Sequence, residues 1–197
     1  MHYRASGRKI SDCMIQKINT PLDGLWILRS PVFQDERGYF YRAFSHMDEE
    51  MPGIRMDVMQ TNISHNHRKG TVRGMHLQRA PSQESKLVRC IRGSVYDVVV
   101  DLRRGSAGFL KYFGYVLTVQ SGDALYIPEG FAHGYQVLED DSTLLYHHSG
   151  SHSPHDEFIM AYNDPRVNIQ WPEEISLVGA KDRGAEFLGS QFDGFEI

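Results

Sequence analysis

Short apolar or alternating runs, rather than long amphipathic stretches, organise this chain. They cover residues 25–28, 86–91, 94–102, 112–119, 124–127, 134–138 and 143–146. Many are rich in Val, Ile, Tyr or Phe, whose branched and aromatic side chains suit a pleated surface. Turn-forming pieces separate them: Arg92-Gly93, Gly105-Ser106, Ser121-Gly122-Asp123 and Glu139-Asp140-Asp141. The turn over 120–123 joins two runs and reads as a hairpin loop. Helical signals are few: one over 45–51 with Ser45 as N-cap, and a short one after Pro172. Regularly spaced strands with minor helices predict an all-β domain, a sandwich or a barrel.

There is no low-complexity linker and no repeat of solenoid period, so one domain is expected over 14–197, its core ending near 183. Residues 1–13 are polar, lack the apolar segment of a secretory signal, and read as a flexible N-terminal extension. A length of 197 residues, 41% hydrophobic and 23% charged, fits one domain with its own core. The formal charge of -4 argues against a nucleic-acid or anionic-membrane surface. No stretch is apolar enough for a membrane-spanning helix. Two cysteines, Cys13 and Cys90, do not make a disulfide framework; reduced thiols of a cytoplasmic protein are expected, with Cys90 a buried small hydrophobe.

The stretch from Gly122 to His133 resembles the second motif of the cupin superfamily, G-x5-P-x-G-x2-H, with Val137 where that motif usually has Asn. Pro128 and Gly130 bend the chain at the strand end and carry His133 into a barrel mouth. Where the first cupin motif supplies an H-x-H and a Glu, this chain has His76-Leu77-Gln78, with Glu84 further on. Gln78 removes a strong donor, so no metal is expected there. His65-Asn66-His67 is another H-x-H, but it lies in a polar segment read as a loop, and a chain with 10 histidines holds such a pair by chance.

A longer series of residues is more specific. It runs Asp35-Glu-Arg37-Gly38-Tyr-Phe40, Gln60-x-Asn62-x-Ser64, Arg73-Gly-x-His76-x-Gln78 and Lys86-Leu-Val. It continues through Asp97-Val-x-Val-Asp101-Leu-Arg103, Ile127 to Gly134, Leu145-Tyr146, Asn163-Asp-Pro165, Ile169-x-Trp171-Pro172 and Lys181-Asp182. From about Val32 to Asp182, in order and spacing, this resembles the dTDP-4-dehydrorhamnose 3,5-epimerase family. The resemblance implies a metal-free, homodimeric cupin-type double-stranded β-helix, a jelly-roll barrel, acting in deoxysugar biosynthesis. It implies His76 as catalytic base, Asp182 as its carboxylate partner, Tyr146 as acid, and Lys86 beside the reacting sugar. It places Arg37, Phe40, Gln60, Asn62, Arg73, His133, His152 and Lys181 among the substrate-binding residues. Arg37 matches a residue that binds the ligand's phosphates and Arg73, like Lys86, one near the reacting sugar, and no cofactor is implied. By residue type, the forked guanidinium groups of Arg37 and Arg73 suit the diphosphate, and the Phe40 ring can stack on the base.

The chemistry is consistent with those residue types. A C4 ketone acidifies the protons on C3 and C5. A neutral imidazole can take one, a carboxylate behind it fixes the tautomer, and a cation stabilises the enolate oxygen. Inversion needs a second group on the other face, and a phenol neutral at pH 7 can donate there. No Gly-rich dinucleotide fingerprint is present. In a regular strand Arg73 and His76, three apart, face opposite ways unless Gly74 opens a bulge.

Two positions depart from the family. Arg42 stands where a Glu is usual after the Arg-Gly-x-Phe run, and His152 where a base-stacking Tyr is usual. Both lie where the base is read, which leaves open a nucleotide other than dTDP. The competing readings are a nucleotide-sugar 3,4-ketoisomerase or C3-only epimerase on the same scaffold, a metal-dependent cupin, and a non-catalytic sugar-binding barrel.

Overall fold

The computed structural model describes residues 15–45, 54 and 56–197. In chain order the first half forms β1 (Gln16–Asn19), β2 (Trp26–Arg29), β3 (Phe33–Asp35), β4 (Gly38–Phe40), β5 (Gln60–Asn66), β6 (Thr71–Gln78) and β7 (Lys86–Arg92). The second half adds β8 (Ser94–Asp101), β9 (Tyr112–Thr118), β10 (Asp123–Ile127), β11 (Phe131–Val137), β12 (Ser142–His148), β13 (Glu157–Ile159), β14 (Leu177–Val178) and α1 (Ala180–Arg183). One sheet has the order β1-β2-β10-β7-β12-β5 and the other β13-β6-β11-β8-β9, with β14 added parallel to β6. β3 and β4 pair only with each other, as a hairpin off both sheets. This is the all-β, cupin-type jelly roll expected from the sequence.

Side-chain alternation divides the hydrophobic residues into layers. Ile27, Val88, Leu125 and Leu144 of the first sheet meet Val95, Val99, Phe131 and Tyr135 of the second in the core between them. The opposite face of the second sheet, with Met75, Leu77, Val98 and Val100, packs under the C-terminal segment through Met160, Val167, Ile169 and Leu188. Leu28, Leu87, Ala124 and Tyr126 on the outer face of the first sheet pack with Met56. β8 is buried on both faces, which is why its sequence is a near-continuous apolar run. Each such side chain contributes roughly 1.5–3 kcal/mol by leaving water.

The turn expected to close a hairpin is a corner instead. β9 pairs with β8 and β10 with β2 and β7, so the chain changes sheets between them. The turn docks on the end of β2, where Ser30 N–H donates to Gly122 O at 3.0 Å. A Cβ on Gly122 would stand 2.6 Å from the Ser30 carbonyl oxygen. The loop reading of residues 65–67 is corrected too, because His65 and Asn66 end β5. β5 is an edge strand with water on one face and a polar cavity on the other, so its sequence carries no apolar alternation. Beyond Pro172 the helix is the four-residue α1, while the helix expected over 45–51 lies, apart from Ser45, outside the described residues.

Candidate active site

The site lies between the sheets, where inward side chains turn from apolar to polar. β11 and β6 pair with His133 opposite His76 and Tyr135 opposite Arg73. Two residues of β11 therefore span three of β6, a bulge at Gly74 that returns Arg73 and His76 to the same face. Gly74 has φ +112. A Cβ there would lie 2.6 Å from Gly134 Cα, and a Cβ on Gly134 would lie 2.6 Å from the Arg73 carbonyl oxygen. Only a pair of glycines lets the two backbones approach this closely.

The bulge also exposes a backbone donor. Gly74 N–H reaches Asp182 Oδ2 at 3.1 Å, while His76 Nε2 meets Asp182 Oδ1 at 2.7 Å. Asp182 comes from α1, which the C-terminal segment carries to the flank of β6 through β14. A carboxylate only accepts, so Nε2 carries the proton and Nδ1 keeps its lone pair. Burial pushes the Asp182 carboxyl up, but the His76 hydrogen bond and charge and the Gly74 N–H outweigh it and hold the group below the usual carboxylate range.

Across the cavity, Tyr146 on β12 stands edge-on to His133, with ring centroids 5.8 Å apart. Burial raises the Tyr146 phenol well above its ordinary value; Tyr135 and Asp97 add to this, and the Arg73 cation opposes it. Tyr146 neighbours Tyr135, whose hydroxyl meets Ser64 Oγ at 2.8 Å and donates to Asn66 Oδ1 at 3.1 Å. His133 Nε2 bridges both carboxylate oxygens of Asp97 at 2.9 Å, with both side chains buried. Burial raises the Asp97 carboxyl, against the pull of His133.

Lys86 spans the cavity from β7, and its Nζ donates to the His76 carbonyl at 3.3 Å and pairs with Glu84 at 3.4 Å. Burial lowers the Lys86 ammonium, and Glu84 partly restores it. Glu84 also takes a 3.0 Å contact from His148 Nδ1, and His148 Nε2 lies 3.3 Å from Asn62 Nδ2. Burial raises Glu84, but His148 and Lys86 together bring it below its ordinary value.

The structure thus brings His76, Asp182, Lys86, Tyr146, His133, Arg73 and Asn62 into one linked cluster. Gln60 begins β5 and accepts a long 3.5 Å contact from His152 N–H. Glu157 holds Lys181 at 2.5 Å and lies 3.8 Å from His152 Nε2, so these two exposed residues share one anchor. Arg37 and Phe40 are placed apart, on the exposed β3–β4 hairpin, with Phe40 69% exposed. Gln78, at the cupin position for a second histidine, turns its amide to the Ser153 backbone, at 3.0 Å to O and 2.7 Å to N, and holds the 149–154 loop.

Sequence reasoning did not single out Asp97, Tyr135 or His148. Asp97 was legible as a charge inside an apolar run, which needs a buried partner. His148 follows Tyr146 by two, the period that puts both on one face of a strand.

Two facing jelly-roll sheets with a His–Asp pair and a tyrosine hydroxyl between them define a cupin-like protein equipped for proton transfer. The family model described as dTDP-4-dehydrorhamnose 3,5-epimerase matches residues 19–190. The chain belongs to that family. A relative from Shigella flexneri, named dTDP-4-dehydrorhamnose 3,5-epimerase, is 37% identical over 177 residues, 89% of this chain and 97% of its own. A solved epimerase from Legionella pneumophila, in complex with dTDP-4-keto-L-rhamnose, is 36% identical with a TM-score of 0.82, covering 88% of this chain and 92% of that one. A 3'-monoepimerase from Streptomyces bikiniensis, in complex with dTDP-quinovose, is 29% identical with a TM-score of 0.81, covering 86% of each.

Proposed function

We propose that this protein inverts C3, C5 or both of a nucleotide-diphosphate 4-keto-6-deoxyhexose, with His76 as base and Tyr146 as acid. The observation that carries this is the 2.7 Å His76–Asp182 pair, with the half-buried Tyr146 ring edge-on to His133, the register partner of His76. Nδ1 of His76 takes the proton as the C–H bond breaks, and the electron pair moves to the C4 carbonyl oxygen. Asp182 stabilises the imidazolium that forms, and the Lys86 ammonium the enolate oxygen. Tyr146 then gives its proton to the carbon from the opposite face, the imidazolium releases its proton to solvent, and solvent reprotonates the phenolate. Its raised pKa keeps it a neutral donor until the enolate is there to receive the proton. The proton balance closes without an external oxidant or reductant.

Arg73, on the face of His76 and exposed, is read as a diphosphate contact, and Asn62 and Gln60 as sugar contacts. Arg42 and His152 decide the base. dTDP is the first candidate because the relatives are named for it, and a binding comparison with GDP, UDP and CDP tests the choice. A homodimer is supported by the β3–β4 hairpin, which offers exposed Tyr39 and Phe40 to a second copy. Size-exclusion chromatography with light scattering, on the parent chain and Phe40→Ser, reads this. Among the described residues no helix is long and apolar enough to cross a membrane. We place the reaction in the cytoplasm, in keeping with the free, buried Cys90 thiol.

The decisive experiment follows candidate nucleotide 4-keto-6-deoxy sugars in D2O by NMR. Deuterium entering at C3, C5 or both, with inversion, is expected. Entry and inversion at C3 alone identifies the monoepimerase reading, which the Streptomyces bikiniensis neighbour favours. Carbonyl migration from C4 to C3 identifies a ketoisomerase. Wild-type activity in His76→Ala refutes the assignment.

A further inference from the structure

We propose that His65, His67 and Asp141 form a divalent-metal site on the outer surface of the barrel, suited to zinc or a similar borderline ion. The reaction cavity lies on the other face of β5, where Asn62, Ser64 and Asn66 point. His65 faces outward with Thr143 of β12, its partner in register. Asp141 enters from the turn before β12, where its N–H donates to the His67 carbonyl at 3.4 Å and φ is +56.

The donor atoms of these three residues all lie within 4.8 Å of one another. Asp141 Oδ1 is 3.3 Å from His67 Nδ1 and 3.5 Å from His65 Nε2. Bonds of about 2.0–2.1 Å in a tetrahedral zinc site put neighbouring donors about 3.3–3.4 Å apart, so these separations match two edges of the tetrahedron. Two imidazoles with one carboxylate is a donor set that such ions take.

Thr143 supplies a second, independent feature. Its Oγ1 lies 2.9 Å from His65 Nδ1. Accepting from Nδ1–H, it fixes the tautomer that leaves Nε2 free toward Asp141, the outer-shell arrangement that orients a metal-bound histidine. All three side chains are at least 39% exposed, and exposed ion pairs add little stability, so stability alone gives no reason for this convergence. Three protein ligands leave the fourth position to water. A bound ion would tie the end of edge strand β5 to the turn that starts β12.

The test uses the full chain, stripped with EDTA and titrated with Zn²⁺ against a chromophoric competitor, and separately with Co²⁺ by visible absorption. One equivalent per chain, a tetrahedral cobalt spectrum and a raised thermal midpoint are expected. His67→Gln and Asp141→Asn should each abolish the one-equivalent step, and Thr143→Val should weaken it by about 10–100-fold. Metal-free urea midpoints and epimerase turnover should stay at the parent's values in all three, since none touches the reaction cavity. Zinc binding of parental strength in His67→Gln or Asp141→Asn would overturn the proposal, because the ion would then sit on other histidines. So would a parent chain that binds no more tightly than these variants.

Discussion

Replacing Asp182 with asparagine exchanges one carboxylate oxygen for an NH2 group and should disable the base. In the parent, Gly74 N–H donates to Oδ2 and His76 Nε2–H donates to Oδ1. The Gly74 donor is buried and needs an acceptor, so the asparagine must turn its carbonyl there and its NH2 toward His76. Nε2 then has to accept, the proton moves to Nδ1, and the lone pair that faced the cavity is lost. The imidazolium of the transition state also loses its counter-charge. A hydrogen bond to a charged group contributes about 1.5–3 kcal/mol. Coulomb attraction at an effective dielectric of 20 is about 4 kcal/mol at 4 Å, which overlaps that hydrogen bond rather than adding to it. Taking about 3–4 kcal/mol at 1.36 kcal/mol per tenfold, kcat should fall by about 10²–10³-fold. The assay is deuterium wash-in at C3 and C5 by NMR under saturating substrate. The urea midpoint should move little, since the Gly74 bond survives. A variant that is folded and within threefold of parental kcat would refute the account of tautomer control, provided His76→Asn is inactive in the same assay.

Tyr146→Phe should uncouple exchange from inversion: deuterium still enters through His76, but inverted product forms about 10²–10⁴-fold more slowly, as chiral analysis of the product would read. Lys86→Met should lower kcat and remove an alkaline limb, which in the parent lies below the usual lysine range because burial lowers the ammonium; a pH–rate profile from 7 to 11 checks both. Gly134→Ala puts a Cβ 2.6 Å from Met75 Sδ and the Arg73 carbonyl, and should cost about 1–3 kcal/mol in urea unfolding while displacing His76. The depressed Asp182 carboxyl makes a contribution to stability that is present in full above the ordinary carboxylate pKa near ~3.9 and is lost as pH falls through the lower folded value. Acid titration of the parent should therefore unfold more steeply than that of Asp182→Asn.

The strands that form the apolar layers were legible because alternation and burial leave their mark on composition: β7, β8, β9, β10 and β12 fall within a residue or two of the runs that predicted them. β5 and β6 were not legible as strands. β5 faces water and a polar cavity, and β6 breaks its own period at Gly74, so neither shows a clean repeat of two. The bulge was foreseen only as a condition for Arg73 and His76 to share a face; what signals it is Gly134, a second glycine on the strand opposite. The corner at 119–122 read as a hairpin because local turn chemistry does not say which sheet the next strand joins. His76, Asp182, Tyr146, Lys86 and His133 were named from their motif contexts, although Asp182 lies more than a hundred residues from His76. Tyr135 and His148 were missed because each supports a neighbour rather than standing in a motif, and Asp97, although within the matching series, carried no role there until His133 was seen to pair with it.

Asp182 does not belong to the barrel. It arrives on a strap that leaves β13, crosses the outer face of the second sheet and returns beside β6. The His76 imidazole, proposed as the base, is therefore oriented by a carboxylate that the strap delivers. Sheets that have closed without the strap still lack that carboxylate, and the proposed base has no partner until the strap is seated. A single proteolytic cut in that strap would part the His76–Asp182 pair while leaving both sheets paired, so turnover would report on the integrity of a segment that packs outside the second sheet.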